Sequence, residues 1–326
     1  ISENLFRAIA NSNLEASGDL VRSNITRPVT VGSSINAPGR WDLNSVSITM
    51  KVVLVLLVCA VAAFADVDVT PYNIPVFPED AWIGERIVNG QPAATNQFPH
   101  QATVFSTNNN ATGGFCGGSL ISPIWVYSAA HCTRGFNWYH IGVGSINRLQ
   151  QQQTQISNHV IEHPQYNPQN LNNDVCVIRL DNPLQINAAV QVIRQPTRSE
   201  QGQLWVGAHA LVSGFGRTTN TGPISNQLMF TGIRIISNAE CASVYGTSVI
   251  VASTICGRGW DFDSQSTCNG DSGGPLILRQ AGGDVHIGVV SFVSGAGCDS
   301  GHPSGYARST HFIDWVNANT GIPIVP

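Results

Sequence analysis

Three side chains suited to acyl transfer stand in distinctive local surroundings: Ser272 within GDSGGP (270–275), His131 within AAHC (129–132) and Asp174 within NDV (173–175). A serine hydroxyl becomes a useful nucleophile only when a nearby base accepts its proton, and imidazole has the proton affinity for that task near neutral pH. A second pattern could do different chemistry. His159-Val160-Ile161-Glu162-His163 has the H-x-x-E-H spacing that sets two imidazoles on one helical face for zinc. Its neighbours Gln155 to Asn158 read as strand, however, and Pro164 follows at once. In a strand Glu162 points away from both histidines, so no metal centre is expected.

Taken alone, Gly270-Asp271-Ser272-Gly273-Gly274 also fits the G-x-S-x-G elbow of lipases and esterases. That elbow sets its serine between a strand and a helix, with acid and histidine later in the chain. His286, His302 and His311 do lie downstream, but Pro275-Leu276-Ile277-Leu278 continues as strand and no helix follows. The competing reading takes His131 and Asp174 from upstream. Small Ala129 and Ala130 would let the histidine's strand pack closely, and Cys132 could tether the end of that strand to Cys116.

The elements that must position these residues are short strands. Glycine is abundant at 32 of 326 residues, and charged residues make up 11%. Candidate strands fall at 117–122, 125–130, 139–144, 154–162, 175–180, 208–213, 227–236, 275–278, 285–292 and 305–308, mostly separated by glycine, proline or asparagine. They form two comparable groups around residue 200, as in an all-β sandwich or a pair of barrels. Helices are expected at 238–245 and 309–319, the latter capped by Ser309 or Thr310, stopped by Gly321 and packed through Phe312 and Trp315. The net charge is −4 with no acidic or basic block, which leaves no electrostatic footprint for nucleic acid or an anionic membrane.

Residues 50–65 (MKVVLVLLVCAVAAFA) read as a secretory signal, with Asp66 first after cleavage. A membrane anchor would need about 20 apolar residues, and this run stops sooner, at Asp66 and Asp68. Residues 1–49, which lack a periodic pattern, are read as a non-native or untranslated leader, and the proline-punctuated, acidic stretch 66–86 as a detachable propeptide. Beyond Cys59 in the signal run, seven cysteines remain: six can pair in an oxidising compartment, and Cys176, within Val175-Cys176-Val177-Ile178, is the odd one. Asn110-Ala111-Thr112 is a glycosylation sequon.

With IVNG at 87–90, CGGSLIS at 116–122, AAHC, NDVCVIRL at 173–180, CNGDSGGP at 268–275 and SFVSGAGC at 291–298, the chain from Ile87 onward resembles the chymotrypsin and trypsin family. The resemblance implies an all-β fold of two packed six-stranded antiparallel β-barrels with a C-terminal helix. It makes Ser272 the nucleophile, His131 its base, Asp174 the group that orients His131, and the backbone N–H groups of Gly270 and Ser272 the oxyanion hole. Glycine at 270 admits the backbone conformation such a hole needs. The implied disulfides are Cys116 to Cys132, Cys241 to Cys256 and Cys268 to Cys298. Cleavage after Arg86 by a trypsin-like protease would free the amine of Ile87 to pair with Asp271 and order the loop. No cofactor is implied.

By the same resemblance, Ser266 forms the floor of the primary specificity pocket, and Val293 and Ser304 its walls. Ser291, Phe292 and Val293 would offer backbone groups to an extended substrate. A neutral floor cannot compensate the burial of lysine or arginine, so medium apolar residues are expected, aromatics fit less readily, and Asp299 would admit basic residues only if it reached the pocket. Gln150 to Gln153 offer amides where relatives often bind calcium, so no calcium requirement is expected. The wording of SFVSGAGC is similar to insect and crustacean digestive chymotrypsin-like enzymes, including brachyurin-type collagenases. The expected protein is therefore a secreted monomeric zymogen acting on protein or peptide substrates, subject to protein protease inhibitors. A catalytically dead binding homologue would have lost a triad member, and none is replaced. A narrow regulatory protease would carry a cysteine-rich domain ahead of the activation site, and residues 66–86 contain no cysteine.

Overall fold

The computed structural model describes residues 89–108 and 113–326. The expectations for the leader, the signal, the propeptide, Arg86, Ile87 and Asn110 fall outside the described residues. Fourteen strands are described: β1 (Gln91–Pro92), β2 (Gln101–Thr107), β3 (Gly113–Ser122), β4 (Trp125–Ser128), β5 (Trp138–Val143), β6 (Gln153–Ser157), β7 (His159–Glu162), β8 (Cys176–Arg179), β9 (His209–Gly214), β10 (Met229–Ile236), β11 (Thr254–Gly259), β12 (Pro275–Leu278), β13 (Val285–Phe292) and β14 (Ser304–Arg308). Three helices join them: α1 (Ala130–Thr133), α2 (Asn238–Tyr245) and α3 (Ser309–Thr320).

The strands form two antiparallel sheets. The order β6-β5-β2-β3-β4-β8-β7 ends on two segments separated by Asn158 alone, so one bent strand serves both edges and the sheet has six strand positions. The other sheet, β1-β10-β11-β14-β13-β12-β9, closes through pairing of β9 with β10. Short β1 is an added edge on that six-stranded ring, where Pro92 is tolerated. This is the two-barrel, trypsin-like architecture with a C-terminal helix.

β2 and β11 escaped the sequence reading for physical reasons. In β2 the polar Gln101, Thr103, Ser106 and Thr107 are buried along with Ala102 and Val104, which erases the expected alternation. In β11, Gly257 and Gly259 look like turn residues but admit neighbours. A Cβ would meet Ile233 Cγ2 at 2.2 Å in the first case and the Phe262 carbonyl oxygen at 1.8 Å in the second.

The helices follow local chemistry only in part. Ser237 caps α2, its hydroxyl accepting from Glu240 N at 3.1 Å. Helix α3 stops at Gly321, in the left-handed conformation with φ 73°. The expected hydroxyl cap at its start is absent. Arg308 occupies the cap position, and Ser309 Oγ lies 2.8 Å from Nδ1 of buried His286 instead. His286 Nε2 reaches Ser119 Oγ on β3 at 3.0 Å, so this network joins α3, β13 and the first barrel. Phe312 and Val316 of α3 sit in the same apolar cluster as Val104, Leu120, Val126 and Ile178.

Candidate active site

His131 and Asp174 are brought together where β4 gives way to α1 and where β8 begins. The alanines before His131 suggested a strand, but the chain turns into one helical turn, with Arg134 N donating to Ala130 O at 3.0 Å. His131 Nδ1 lies 2.7 Å from Asp174 Oδ2, and the His131 backbone N–H donates to Asp174 Oδ1 at 2.9 Å. Ser291 Oγ donates to Asp174 Oδ2 at 2.6 Å. Asp174 is completely buried, whereas the His131 side chain keeps 27% of its surface open.

A carboxylate only accepts, so the ring proton must sit on Nδ1, which leaves Nε2 of the neutral imidazole as a free acceptor. Burial favours the uncharged ring, but the charge and hydrogen bond of Asp174 outweigh it and raise the proton affinity above the ordinary value of 6.5.

Backbone contacts tie Ser272 to segments that adjoin this pair. Its carbonyl accepts from Gly117 N at 2.7 Å, and Gly273 N donates to Val290 O at 2.8 Å. Cys116, beside Gly117, is bonded to Cys132, beside His131. The fit is tight enough to demand glycine: a Cβ on Gly273 would lie 2.1 Å from Ser128 Oγ and 3.2 Å from Ala129 N. Among the described residues the Ser272 hydroxyl and His131 Nε2 form no hydrogen bond with each other, and Nε2 has only Cys132 Sγ, at 3.7 Å. Catalytic hydrogen bonds of this kind tighten when substrate arrives.

The loop ahead of β12 has a selective hydrogen-bond pattern. Asp271 N donates to Cys268 O at 3.0 Å, Gly273 N to Val290 O at 2.8 Å, and Gly274 N to Asp271 O at 2.9 Å. Gly270 N and Ser272 N have no acceptor among the described residues. Gly270 takes φ 100°, a conformation that side-chain-bearing residues rarely adopt. Two alternate donors are thus left unpaired beside the serine, the geometry that suits a developing oxyanion.

Under this loop lies Asp271, completely buried. Its carboxylate accepts from Gly216 N at 2.8 Å and Cys268 N at 2.9 Å. Burial raises its pKa to about 6 despite those two donors. Gly214 and Gly216 form the cradle: a Cβ on either would fall 2.1 Å or 2.4 Å from carboxylate atoms. Sequence reasoning passed over both. Their spacing in SGFGRT (213–218) was the available signal of a close backbone approach.

Ser266 and Ser304 are both buried, and Ser304 Oγ lies 2.7 Å from Tyr306 OH. Val293 packs on the Cys268–Cys298 disulfide. The Phe292 ring lies over Gly305, where a Cβ would come within 2.1 Å of it, and meets Tyr245 edge-on at 5.3 Å. Asp299 is exposed and accepts from Asn220 Nδ2 at 2.6 Å, which turns it toward a surface loop. The third disulfide joins Cys241 to Cys256, and Cys176 is a free, buried thiol whose pKa is raised by burial.

The H-x-x-E-H segment lies on β7, with His163 just beyond it, and its side chains part company. His159 Nε2 approaches Asp181 at 3.7 Å, Glu162 accepts from Thr133 Oγ1 at 2.9 Å and Arg134 at 3.0 Å, and His163 packs on Phe312 and Trp315. One cluster of three potential metal ligands occurs among the described residues, Cys116, His131 and Cys132, and both of its sulfurs are committed to a disulfide.

Comparison with known proteins gives the family and the fold. A family model described as Trypsin matches residues 87–316. A collagenase of Hypoderma lineatum is 39% identical over 237 residues, covering 73% of this chain and 88% of that protein. Brachyurin of Leptuca pugilator is 36% identical over 243 residues, covering 72% of this chain and 99% of that protein. A solved structure of HL collagenase superposes with a TM-score of 0.67 at 38% identity, covering 73% of this chain and all of that one.

Proposed function

Because the chain belongs to the trypsin family of serine proteases, hydrolases that act on protein substrates, we propose that it is a secreted endopeptidase in which Ser272, His131 and Asp174 carry the reaction. In this reading His131 Nε2 takes the Ser272 proton as the hydroxyl attacks the scissile carbonyl, then returns it to the leaving amine, and water repeats the cycle on the acyl-enzyme. Asp174 holds the tautomer and stabilises the imidazolium that forms. The tetrahedral oxyanion would lie against Gly270 N and Ser272 N, where losing one donor typically costs about 3 to 4 kcal/mol of barrier lowering. The observation that carries the reading is the hydrogen-bond pattern of that loop, in which just these two N–H groups among residues 270–274 lack an acceptor among the described residues.

The finer claims rest on the pocket and on Asp271. Ser266, Ser304 and Val293 carry no charge, which supports cleavage after medium apolar residues. Asp299, held by Asn220 at the surface, supports the exclusion of basic ones. A buried carboxylate met by two backbone N–H groups supports activation by cleavage after Arg86, since the amine of Ile87 would supply the missing cation. A buried charge without its partner is worth about 3 to 5 kcal/mol of disorder in the loop. The similarity to a collagenase and to brachyurin supports a digestive, secreted enzyme with collagen among its substrates. Among the described residues no helix is long and apolar enough to cross a membrane.

The test is to treat the purified chain with trypsin and profile cleavage of a peptide library. Cleavage after leucine-sized residues, with a loss of about 10⁶-fold in Ser272→Ala, is expected. Undiminished cleavage in Ser272→Ala would remove the assignment.

A further inference from the structure

Ser272 is bracketed by two strands, its carbonyl bonded to Gly117 N of β3 and the next residue's N–H to Val290 O of β13. A substrate whose acyl part lies along the end of β13 must therefore carry its leaving part out over β3. The ring of Phe115, two residues before Gly117, borders that exit. A Cβ placed on Gly270 would be 3.7 Å from Phe115 Cδ1. Over the same ring sits the guanidinium of Arg148, 5.3 Å from its centroid.

Arg148 is built in. Its backbone N–H donates to Asn226 O at 2.8 Å, and its side chain reaches Ser225 O through Nε at 3.2 Å and Asn226 Oδ1 through Nη2 at 2.7 Å. All three anchors are neutral, and Arg148 pairs with no carboxylate among the described residues. Nη1 has no acceptor among them. A planar, always-charged fork, fixed at two donors and set over an aromatic ring, is an arrangement that recognises a carboxylate. The chain as a whole carries −4, so this cation is a local feature rather than part of a general positive field.

Resting on the proteolytic reading above, we propose that Arg148, seated on Phe115, is a specificity-determining residue that favours substrates bearing aspartate or glutamate one or two positions beyond the scissile bond. Half-exposed ion pairs are modest, so the expected preference for glutamate over glutamine is about five-fold in kcat/KM. The probe is a set of quenched-fluorescence peptides, identical up to and including the scissile bond, carrying Glu, Gln or Lys at the second position after it. At low salt the activated enzyme should rank them Glu, Gln, Lys. Arg148→Gln should bring the Glu-to-Gln ratio close to one, and Arg148→Lys should keep part of it. Because the reading is a ratio within each enzyme, a general loss of activity cancels. Salt at about 1 M should compress the wild-type ratio in the same direction, so the proposal stands or falls even if the variants fold poorly. Equal cutting of the Glu and Gln peptides by the wild type, or a ratio unmoved in Arg148→Gln, overturns the subsite alone. Failure to cut any of the peptides overturns the proteolytic reading and the subsite with it.

Discussion

The two barrels contribute unlike parts to the candidate site. The first, built from β2 to β8, supplies His131 and Asp174, a pair fixed by the 2.7 Å and 2.9 Å hydrogen bonds between them. The second, built from β9 to β14, supplies Ser272 on a loop whose shape depends on glycines and on one buried carboxylate, Asp271, with no ion partner among the described residues. On the proposed reading the base half is preassembled, while the nucleophile half depends on how Asp271 is neutralised. Zymogen control, on this reading, acts on the second barrel and leaves the first untouched.

After the loss of Ser272 itself, breaking the first barrel's contribution should have the largest effect. Asp174→Asn offers Nδ1 an amide that can turn its donor toward the ring, so the wrong tautomer forms and kcat should fall by about 10⁴-fold without loss of fold. Stopped assays and circular dichroism on the same preparation check both halves of that statement. Asp271→Ala should be cut after Arg86 as the parent is, yet lose at least about a hundred-fold in activity, the equivalent of a 3 kcal/mol disturbance of the loop. The low-field proton signal of His131 Nδ1–H should persist in that variant, and its disappearance would show that the two halves are not separable.

Smaller effects sharpen the comparison. Ser291 belongs to the second barrel but donates to Asp174 at 2.6 Å, so it couples the halves. Ser291→Ala should lower kcat on the order of ten-fold, consistent with one hydrogen bond to a charged group. The apparent pKa in kcat/KM should lie above 6.5 in the parent, because activity needs the neutral ring and Asp174 favours the protonated one. Stability should depend on pH as well. His100 and His286 are buried and held neutral, with pKa values lowered to about 3 by burial. The unfolded chain takes up protons below 6.5 while the folded one resists, so stability present above that pH is lost progressively as pH falls toward 3. Urea midpoints at a series of pH values test the slope, and a flat profile would contradict the neutral burial of both rings.

Much of the site was legible because short motifs keep their chemistry local. CNGDSGGP encodes the loop, its two glycines with positive φ at 270 and 273 and the residue that anchors it. The β3, β12 and β13 segments announced themselves through apolar runs between glycines. β2 and β11 did not, since buried polar side chains and space-making glycines look like loop when their partners are unseen. Ser309 illustrates the same limit: a hydroxyl at a helix start suggests a cap, but His286, 23 residues away in sequence, takes it. The cradle at Gly214 and Gly216 was equally hidden, because only the arrival of Asp271 makes a side chain there impossible.

By itself the sequence determined the inventory: which hydroxyl, imidazole and carboxylate could act together, which six cysteines pair, and that Cys176 stays apart. The tertiary structure decided what each group faces. It set Ser291 Oγ on Asp174, left two of the loop's N–H groups without acceptors among the described residues, sent Asp299 to Asn220, and laid Arg148 over Phe115. The reason is physical: residue type and spacing fix what an atom can donate or accept, but a hydrogen bond reaches only about 3 Å, and which atoms come that close is settled when distant strands pack.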